Sequence, residues 1–184
     1  LAAEKQLQIA YLGPEGSFTQ AAALKQFGGS VAQQPMSTIA EVFHEVEMGN
    51  ANYGVVPVEN STEGMVTHTL DRFVTSPLKI NGEVSLRIHH ALLSKQTELS
   101  NINTVYGHPQ ALAQCRQWLT KHCPDCQQVA MNSNAEAAKK VMSEQNAAAI
   151  ASDTAAELYE LNVLANNIED ETDNTTRFLV IGHQ

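Results

Sequence analysis

Four polar segments of this chain carry the residue types that chemistry needs. Val58-Glu59-Asn60-Ser61-Thr62-Glu63-Gly64 sets five polar side chains after an apolar run. A solvated helix cap uses one or two, so Asn60, Ser61 and Thr62 stand out as hydrogen-bond donors to a ligand. Gly13-Pro-Glu-Gly-Ser17-Phe18-Thr19 places two glycines and a Ser N-cap at a helix N-terminus, where backbone N–H groups suit an anion. It lacks the Gly-Lys-Ser ending of a phosphate loop and the G-x-G-x-x-G of dinucleotide sites. Gly107-His108-Pro109-Gln110 makes His108 an N-cap with Pro at the first helical position, and a His at such a loop can move a proton. Asn174-Thr175-Thr176-Arg177-Phe178 sets an Arg among β-formers, and Arg is the side chain suited to bidentate carboxylate recognition. Each segment also has a plainer reading: a turn and cap at Gly13–Thr19, a satisfied structural His at position 108, ordinary strand residues at Thr175 and Thr176.

Cys115, Cys123 and Cys126 are an odd count without disulfide-scaffold density, as expected in a reducing compartment. Cys123-Pro-Asp-Cys126 is a C-x-x-C beside His122, but a second ligand pair at zinc spacing is missing. The expectation is a loop after a helix and no metal. Asn60-Ser-Thr and Asn174-Thr-Thr match the glycosylation sequon, which carries no weight without a secretory signal.

The elements that must position these segments read as a repeated order. Periodicity predicts strand Leu7–Leu12, helix Ser17–Phe27, strand Val31–Gln34, helix Thr38–Met48 and strand Tyr53–Val58, a βαβαβ unit. Thr38-x-x-Glu41 and Ser17-x-x-Gln20 are capping boxes, and Ile39, Val42, Phe43 and Val46 fall on one helical face. A helix over Thr62–Thr75 stops before Pro77. Glu83–Leu93 reads as one long strand or a strand pair. The order then recurs: strand Thr104–Tyr106, helix Pro109–Lys121, strand Gln127–Met131, helix Asn134–Gln145, strand Ala147–Ala151. A helix over Thr154–Leu161 and a strand over Thr176–Ile181 follow, the strand returning to the first lobe. The expectation is α/β, two similar lobes with mainly parallel sheets and a central cleft. Residues 1–80 plus 170–184 form the first lobe and 81–169 the second. Ligands of such sheets sit at the carboxyl ends of strands, where the polar segments lie.

The 184 residues include 43% hydrophobic and 17% charged, enough length and composition to bury a core. The net charge of −9 argues against nucleic acid or an anionic membrane surface as partner, while leaving room for a small anion held locally. The apolar run Ala147–Ala151 is far below the roughly 18 residues of a membrane span. The start Leu-Ala-Ala-Glu-Lys-Gln has neither an initiator Met nor a signal pattern, so the chain is read as cytoplasmic and as a piece of a longer protein.

Together, Tyr11-Leu-Gly-Pro-Glu-Gly-Ser-Phe-Thr19, Val55-Val-Pro-Val-Glu-Asn-Ser61, His108-Pro-Gln110 and Thr176-Arg-Phe178, in this order, resemble the sequence blocks of the prephenate dehydratase family. Tyr159, Leu161, Leu164 and Asp170 ahead of Thr176, with Leu179 and Ile181 after it, extend the match. The resemblance implies a fold like the type II periplasmic binding proteins. It also implies dehydration and decarboxylation of prephenate to phenylpyruvate for phenylalanine synthesis, in a homodimer or larger homo-oligomer. By carry-over, Thr176 meets the leaving hydroxyl with Arg177 completing the catalytic motif. Ser17, Phe18, Glu59, Asn60, Ser61, Thr62, His108, Gln110, Thr175 and Phe178 bind and orient the substrate. The chemistry asks for no cofactor. A threonine hydroxyl is a weak acid, so a neighbour must strengthen it, and Arg177, His108 and Glu59 are the candidates. Carbon dioxide leaves more readily from a poorly solvated ring carboxylate, which assigns the firmest cationic and N–H contacts to the pyruvyl carboxylate instead. Arogenate as substrate, and ligand binding without catalysis, remain open alternatives.

The family usually adds a phenylalanine-binding ACT domain, and its bifunctional members a chorismate mutase to which Leu1–Gln6 would be the linker; neither is expected in these 184 residues. The chain is therefore expected to turn over prephenate without inhibition by phenylalanine, and strong inhibition in a steady-state assay overturns that.

Overall fold

The polar segment after Val58 is held by a strand that runs two residues longer than its apolar pattern, and the rest of the first sheet is arranged around it. A computed structural model describes residues 5–184, so Leu1–Glu4 of the N-terminal stub lie outside the described residues. The described chain divides into two compact units. The first holds the residues up to Pro14, Phe18–Arg87 and Asn174–Gln184; the second holds Glu15–Ser17 and Ile88–Asp173.

In the first unit, β1 (Gln8–Leu12), α1 (Phe18–Phe27), β2 (Ala32–Met36), α2 (Ile39–Glu47) and β3 (Tyr53–Asn60) form the expected βαβαβ run, with β1 parallel to both β2 and β3. Thr38 caps α2, its hydroxyl accepting from the Glu41 N–H at 3.1 Å, and Glu41 reaches back to the Ser37 N–H. Val42, Phe43 and Val46 of α2 pack with Val56, Val58, Leu179 and Ile181 on one face of the sheet. Ala22 and Ala23 of α1 pack with Tyr11, Val55, Phe178 and Val180 on the other.

The segment between β3 and the next helix departs from the periodicity. A short strand β4 (Gly64–Met65) folds back on β3, so α3 starts at Thr67 rather than Thr62 and runs to Thr75. The turn needs Gly64 at φ 88, a backbone region that favours glycine. The apparent long strand near Glu83 splits into β5 (Lys79–Arg87) in the first sheet and β6 (Ala91–Ser94) in the second. The last strand, β11 (Thr175–Gly182), inserts antiparallel between β3 and β5, giving the order β2-β1-β3-β11-β5 with β4 on β3. This sheet is mixed rather than mainly parallel.

The second unit orders its sheet β10-β6-β9-β7-β8, from β6, β7 (Thr104–Gly107), β8 (Gln127–Ala130), β9 (Ala147–Ala151) and β10 (Asn162–Ala165). It is mixed too, β9 parallel to β7 and antiparallel to β6. The predicted helix over Pro109–Lys121 is two, α4 (Pro109–Gln114) and α5 (Arg116–His122), broken at Cys115. Asp170 explains the break: its carboxylate accepts from the Gln117 N–H at 3.1 Å and caps a fresh helix start. The helices α6 (Asn134–Val141) and α7 (Asp153–Leu158) complete the unit. Cys115 lies in its core, and the Cys126 thiol donates to the Ile102 carbonyl at 3.2 Å. The buried Glu169 carboxylate accepts from the His90 N–H at 2.7 Å and from His89 Nδ1 at 2.9 Å. Burial alone would raise its carboxyl, but these hydrogen bonds outweigh it and hold the group below the usual carboxylate range. No helix of the described residues is long and apolar enough to cross a membrane.

At Gly54 the side chains of α2 pack directly on β3. A Cβ there would lie 2.8 Å from Val42 Cγ1 and 3.0 Å from Ile181 Cγ1. Gly54→Ala is expected to lower unfolding free energy by about 1–3 kcal/mol through overpacking, measured by denaturant unfolding; an unchanged midpoint would show that α2 can move aside.

Candidate active site

Two strand ends meet in the first unit and supply its polar cluster. Asn60 ends β3 directly opposite Thr176 of β11. Asn60 Nδ2 donates to Thr176 Oγ1 at 2.6 Å, while Asn60 Oδ1 accepts from the Thr62 N–H at 3.0 Å and the Thr62 hydroxyl at 2.7 Å. The orientation of the amide is fixed by chemistry. A backbone N–H only donates, so the oxygen of Asn60 must face Thr62 and the NH₂ must face Thr176. Thr176 Oγ1 is thereby an acceptor from Asn60, and its own proton meets no acceptor among the described residues. Thr176 is 9% exposed, so this hydroxyl is a largely desolvated donor aimed out of a fixed frame.

A second layer keeps the two strand ends together. Ser61 and Thr175 exchange bonds, the Ser61 N–H to the Thr175 carbonyl and the Thr175 N–H to the Ser61 hydroxyl, both at 2.9 Å. The Ser61 hydroxyl donates onward to Asn174 Oδ1 at 3.1 Å. Asn174 is 4% exposed, and sequence reasoning passed over it, since its one signal was a sequon match that speaks to glycosylation. The β3–β11 register shifts between Arg177 and Phe178, which pair with Glu59 and Pro57. Val58 is thus the extra residue of a β-bulge, a device that re-aims side chains. The freed carbonyls are satisfied locally: Pro57 by the Thr69 hydroxyl at 2.7 Å, Val58 by the Val66 N–H at 2.8 Å.

Arg177 points to the opposite face of β11 from Thr176, by strand alternation. It donates from Nη1 to Glu59 at 2.9 Å and from Nε and Nη2 to Glu83 at 2.8 and 3.4 Å. Neither Glu59 nor Arg177 hydrogen-bonds the Thr176 hydroxyl; the neighbour found there is Asn60, which was not among the three candidates Arg177, His108 and Glu59. Phe178 is 1% exposed in the apolar core with Tyr11 and Val55, where a side chain acts through packing. Phe18, the first residue of α1, also packs against that core. Glu83 was not singled out in sequence, where an acid in a strand carries no spacing signal.

Ser17, His108 and Gln110 lie in the second unit. His108 caps α4: its Nδ1 accepts from the Gln110 N–H at 3.1 Å, while its own N–H donates to Asn134 Oδ1 at 2.9 Å. With Nδ1 engaged as an acceptor, the neutral ring carries its proton on Nε2 and presents a donor. Ser17 follows a loop held from α7 and beyond, the Ser152 hydroxyl donating to the Gly16 carbonyl at 3.2 Å and the Tyr159 hydroxyl to the Glu15 carbonyl at 3.0 Å.

The model of the family described as prephenate dehydratase matches residues 9–184. The bifunctional chorismate mutase/prephenate dehydratase of Pseudomonas aeruginosa is 60% identical over 185 residues, covering 100% of this chain and 51% of that protein. A prephenate dehydratase from Arthrobacter aurescens, solved in complex with L-Phe, superposes with a TM-score of 0.88 at 34% identity, over 97% of this chain and 61% of its own. The structure of GqqA, described as a novel type of quorum quenching acylase, gives 0.86 at 32% identity, over 96% of this chain and 64% of its own. The chain spans about half the length of the curated relatives it matches.

The cap at His108 makes its own prediction. His108→Ala removes the acceptor for the Gln110 N–H and is expected to cost about 0.5–2 kcal/mol of stability, whereas His108→Asn supplies an equivalent side-chain oxygen and should stay within a few tenths of the parent. Equal losses in the two variants, measured by thermal unfolding, would show that Nδ1 is not the cap.

Proposed function

The chain belongs to the prephenate dehydratase family, and we propose that it carries that activity, converting prephenate to phenylpyruvate with loss of water and carbon dioxide. The observation that carries the reading is the Asn60–Thr176 pair: a threonine whose oxygen is already occupied by an amide donor, leaving its proton to serve a leaving group.

The reaction consumes one proton and has aromatisation as its driving force. As the bond between the ring carboxylate and its carbon breaks, that electron pair enters the ring and expels the hydroxyl on the opposite carbon. The protein's task is to stabilise negative charge on the departing oxygen and to keep the dianion in place. Thr176 faces the leaving hydroxyl, and its hydrogen bond is the path for the proton that turns hydroxide into water; solvent restores the proton to Thr176. Asn60 keeps the Thr176 hydroxyl in the donor sense and, by donating to Oγ1, stabilises charge on that oxygen. Ser61, Thr62 and Thr175 hold Asn60 and the strand ends. Ser17, His108 and Gln110 bind the substrate, His108 through Nε2–H. No step calls on a metal or an organic cofactor.

Turnover of prephenate, followed by the enol absorbance of phenylpyruvate in alkali, tests this with Thr176→Ala and Asn60→Asp. Thr176→Ala is expected to lower kcat by about 10² or more with little change in KM, the mark of an interaction made in the transition state. Asn60→Asp keeps the shape but turns an acceptor toward Thr176, which captures the proton, and should be as damaging. A Thr176→Ala variant within a few-fold of the parent sinks the assignment. If the parent binds prephenate but does not convert it, an acylase activity such as the one named in the description of GqqA becomes the reading to take up, since one fold hosts several chemistries.

A further inference from the structure

We infer that Glu83 is a positioning residue for this reaction: by occupying the Arg177 guanidinium it fixes the end of β11 that presents Thr176. The inference rests on the dehydratase reading for its kinetic part and on geometry for the rest. Glu83 lies on β5 and is paired in register with Leu179 of β11, so its side chain reaches diagonally to Arg177. It takes Nε and Nη2 on its two oxygens, while Glu59 of β3 takes Nη1. One guanidinium thus joins three adjacent strands, and its N–H fork is spent on two carboxylates of the protein itself.

Stability is a poor account of this arrangement. The side chains of Arg177 and Glu83 are 42% and 49% exposed, and ion pairs so open to water contribute little to folding. Geometry is a better one. The β3–β11 ladder changes register at Val58, next to the Asn60–Thr176 pair, and a bulge re-aims the side chains beside it, so the placement of this pair depends on more than a regular ladder. The clamp lies one residue along, on the other face, and adds a side-chain restraint across β3, β11 and β5 to the backbone pairing. An Arg held this way is also withdrawn from the substrate: an anchor for a substrate carboxylate needs a free fork, and here both oxygens of Glu83 compete for it.

The two roles make opposite predictions for Glu83→Gln. Freeing an anchor would tighten substrate binding and lower KM. Releasing a clamp should lower kcat by about tenfold, as small displacements of reacting groups do, with KM within about twofold, and should add no further loss in a Thr176→Ala background. An activity-independent readout runs beside it: NMR of the Asn60 side-chain amide and the Thr176 methyl, whose resonances should shift in Glu83→Gln. Unmoved resonances, or a falling KM, overturn the proposal. If the parent chain does not convert prephenate, the dehydratase reading fails, and the resonances alone decide whether Glu83 holds the pair. Should Glu83→Gln not fold, Arg177→Lys, which keeps the charge but loses the fork, goes through the same two measurements with the same expected outcomes.

Discussion

A backbone N–H has no lone pair to offer, and at Thr62 that asymmetry sets the direction of every hydrogen bond leading to Thr176. Because the Thr62 N–H must donate, Asn60 must turn its oxygen to it; because the oxygen is there, the amide nitrogen faces β11; because it only donates, Thr176 Oγ1 accepts. A symmetric pair of hydroxyls in place of Asn60 and Thr176 would have settled into either direction, and thermal averaging would have left the proton shared. An amide between a forced donor and a hydroxyl removes that freedom. The tight turn at Gly64 and the strand β4 are what bring the Thr62 N–H back over Asn60, so a local backbone choice governs the polarity of a contact between residues far apart in sequence.

The bulge at Val58 divides labour between the two faces of the sheet. Apolar side chains alternate cleanly along β11 from Phe178 to Ile181, and continuing that alternation would have buried one end of the motif in each core. Instead the extra residue on β3 stops the apolar pairing after Pro57, and polar pairs take over, Glu59 with Arg177 on one face and Asn60 with Thr176 on the other. A buried ion pair would have incurred several kcal/mol of desolvation per charge; the guanidinium and its carboxylates stay half-exposed, and it is the neutral Thr176 hydroxyl that is buried, with the Asn60 amide half-buried beside it. A neutral group costs less to bury than a charge, and the Thr176 hydroxyl keeps one hydrogen bond, from Asn60, in its buried position.

Much of this frame was legible in the sequence, and the gaps have physical reasons. Helix α2 announced itself, because Thr38, Glu41 and a four-residue apolar face all obey one period. Strand β11 and its return to the first sheet followed from β-formers at the end of the chain. The start of α3 was misread because Thr62–Met65 lacks a breaker other than Gly64, and a tight hairpin turn and a helix cap favour the same residues. The run Glu83–Leu93 hid a change of sheet, since β5 and β6 have similar composition and only tertiary pairing separates them. The break at Cys115 depends on Asp170, distant in sequence and therefore silent to periodicity. Among candidate site residues, Asn60, Ser61 and Thr62 were legible as a cluster of types and Thr176 only through the family resemblance, but their hydrogen-bond directions were not, and the partners Asn174 and Glu83 gave no local signal for this role.

If dehydration of prephenate is the reaction, as proposed, how strong an acid must Thr176 be? If it had to protonate hydroxide by itself, a charged neighbour would be required, and the guanidinium next to it in sequence, that of Arg177, is held by two carboxylates on the other face instead. Aromatisation changes the requirement. With the ring supplying the driving force, the site needs only to lower the barrier to C–O cleavage, and one preorganised donor to a developing oxyanion is worth roughly 10²–10³ in rate. A general acid of matched strength gives about 10²–10⁴, so the oriented donor recovers most of what acid catalysis would provide. The magnitude favours orientation over acidity, which accounts for a hydroxyl braced by an amide in place of an ionisable group.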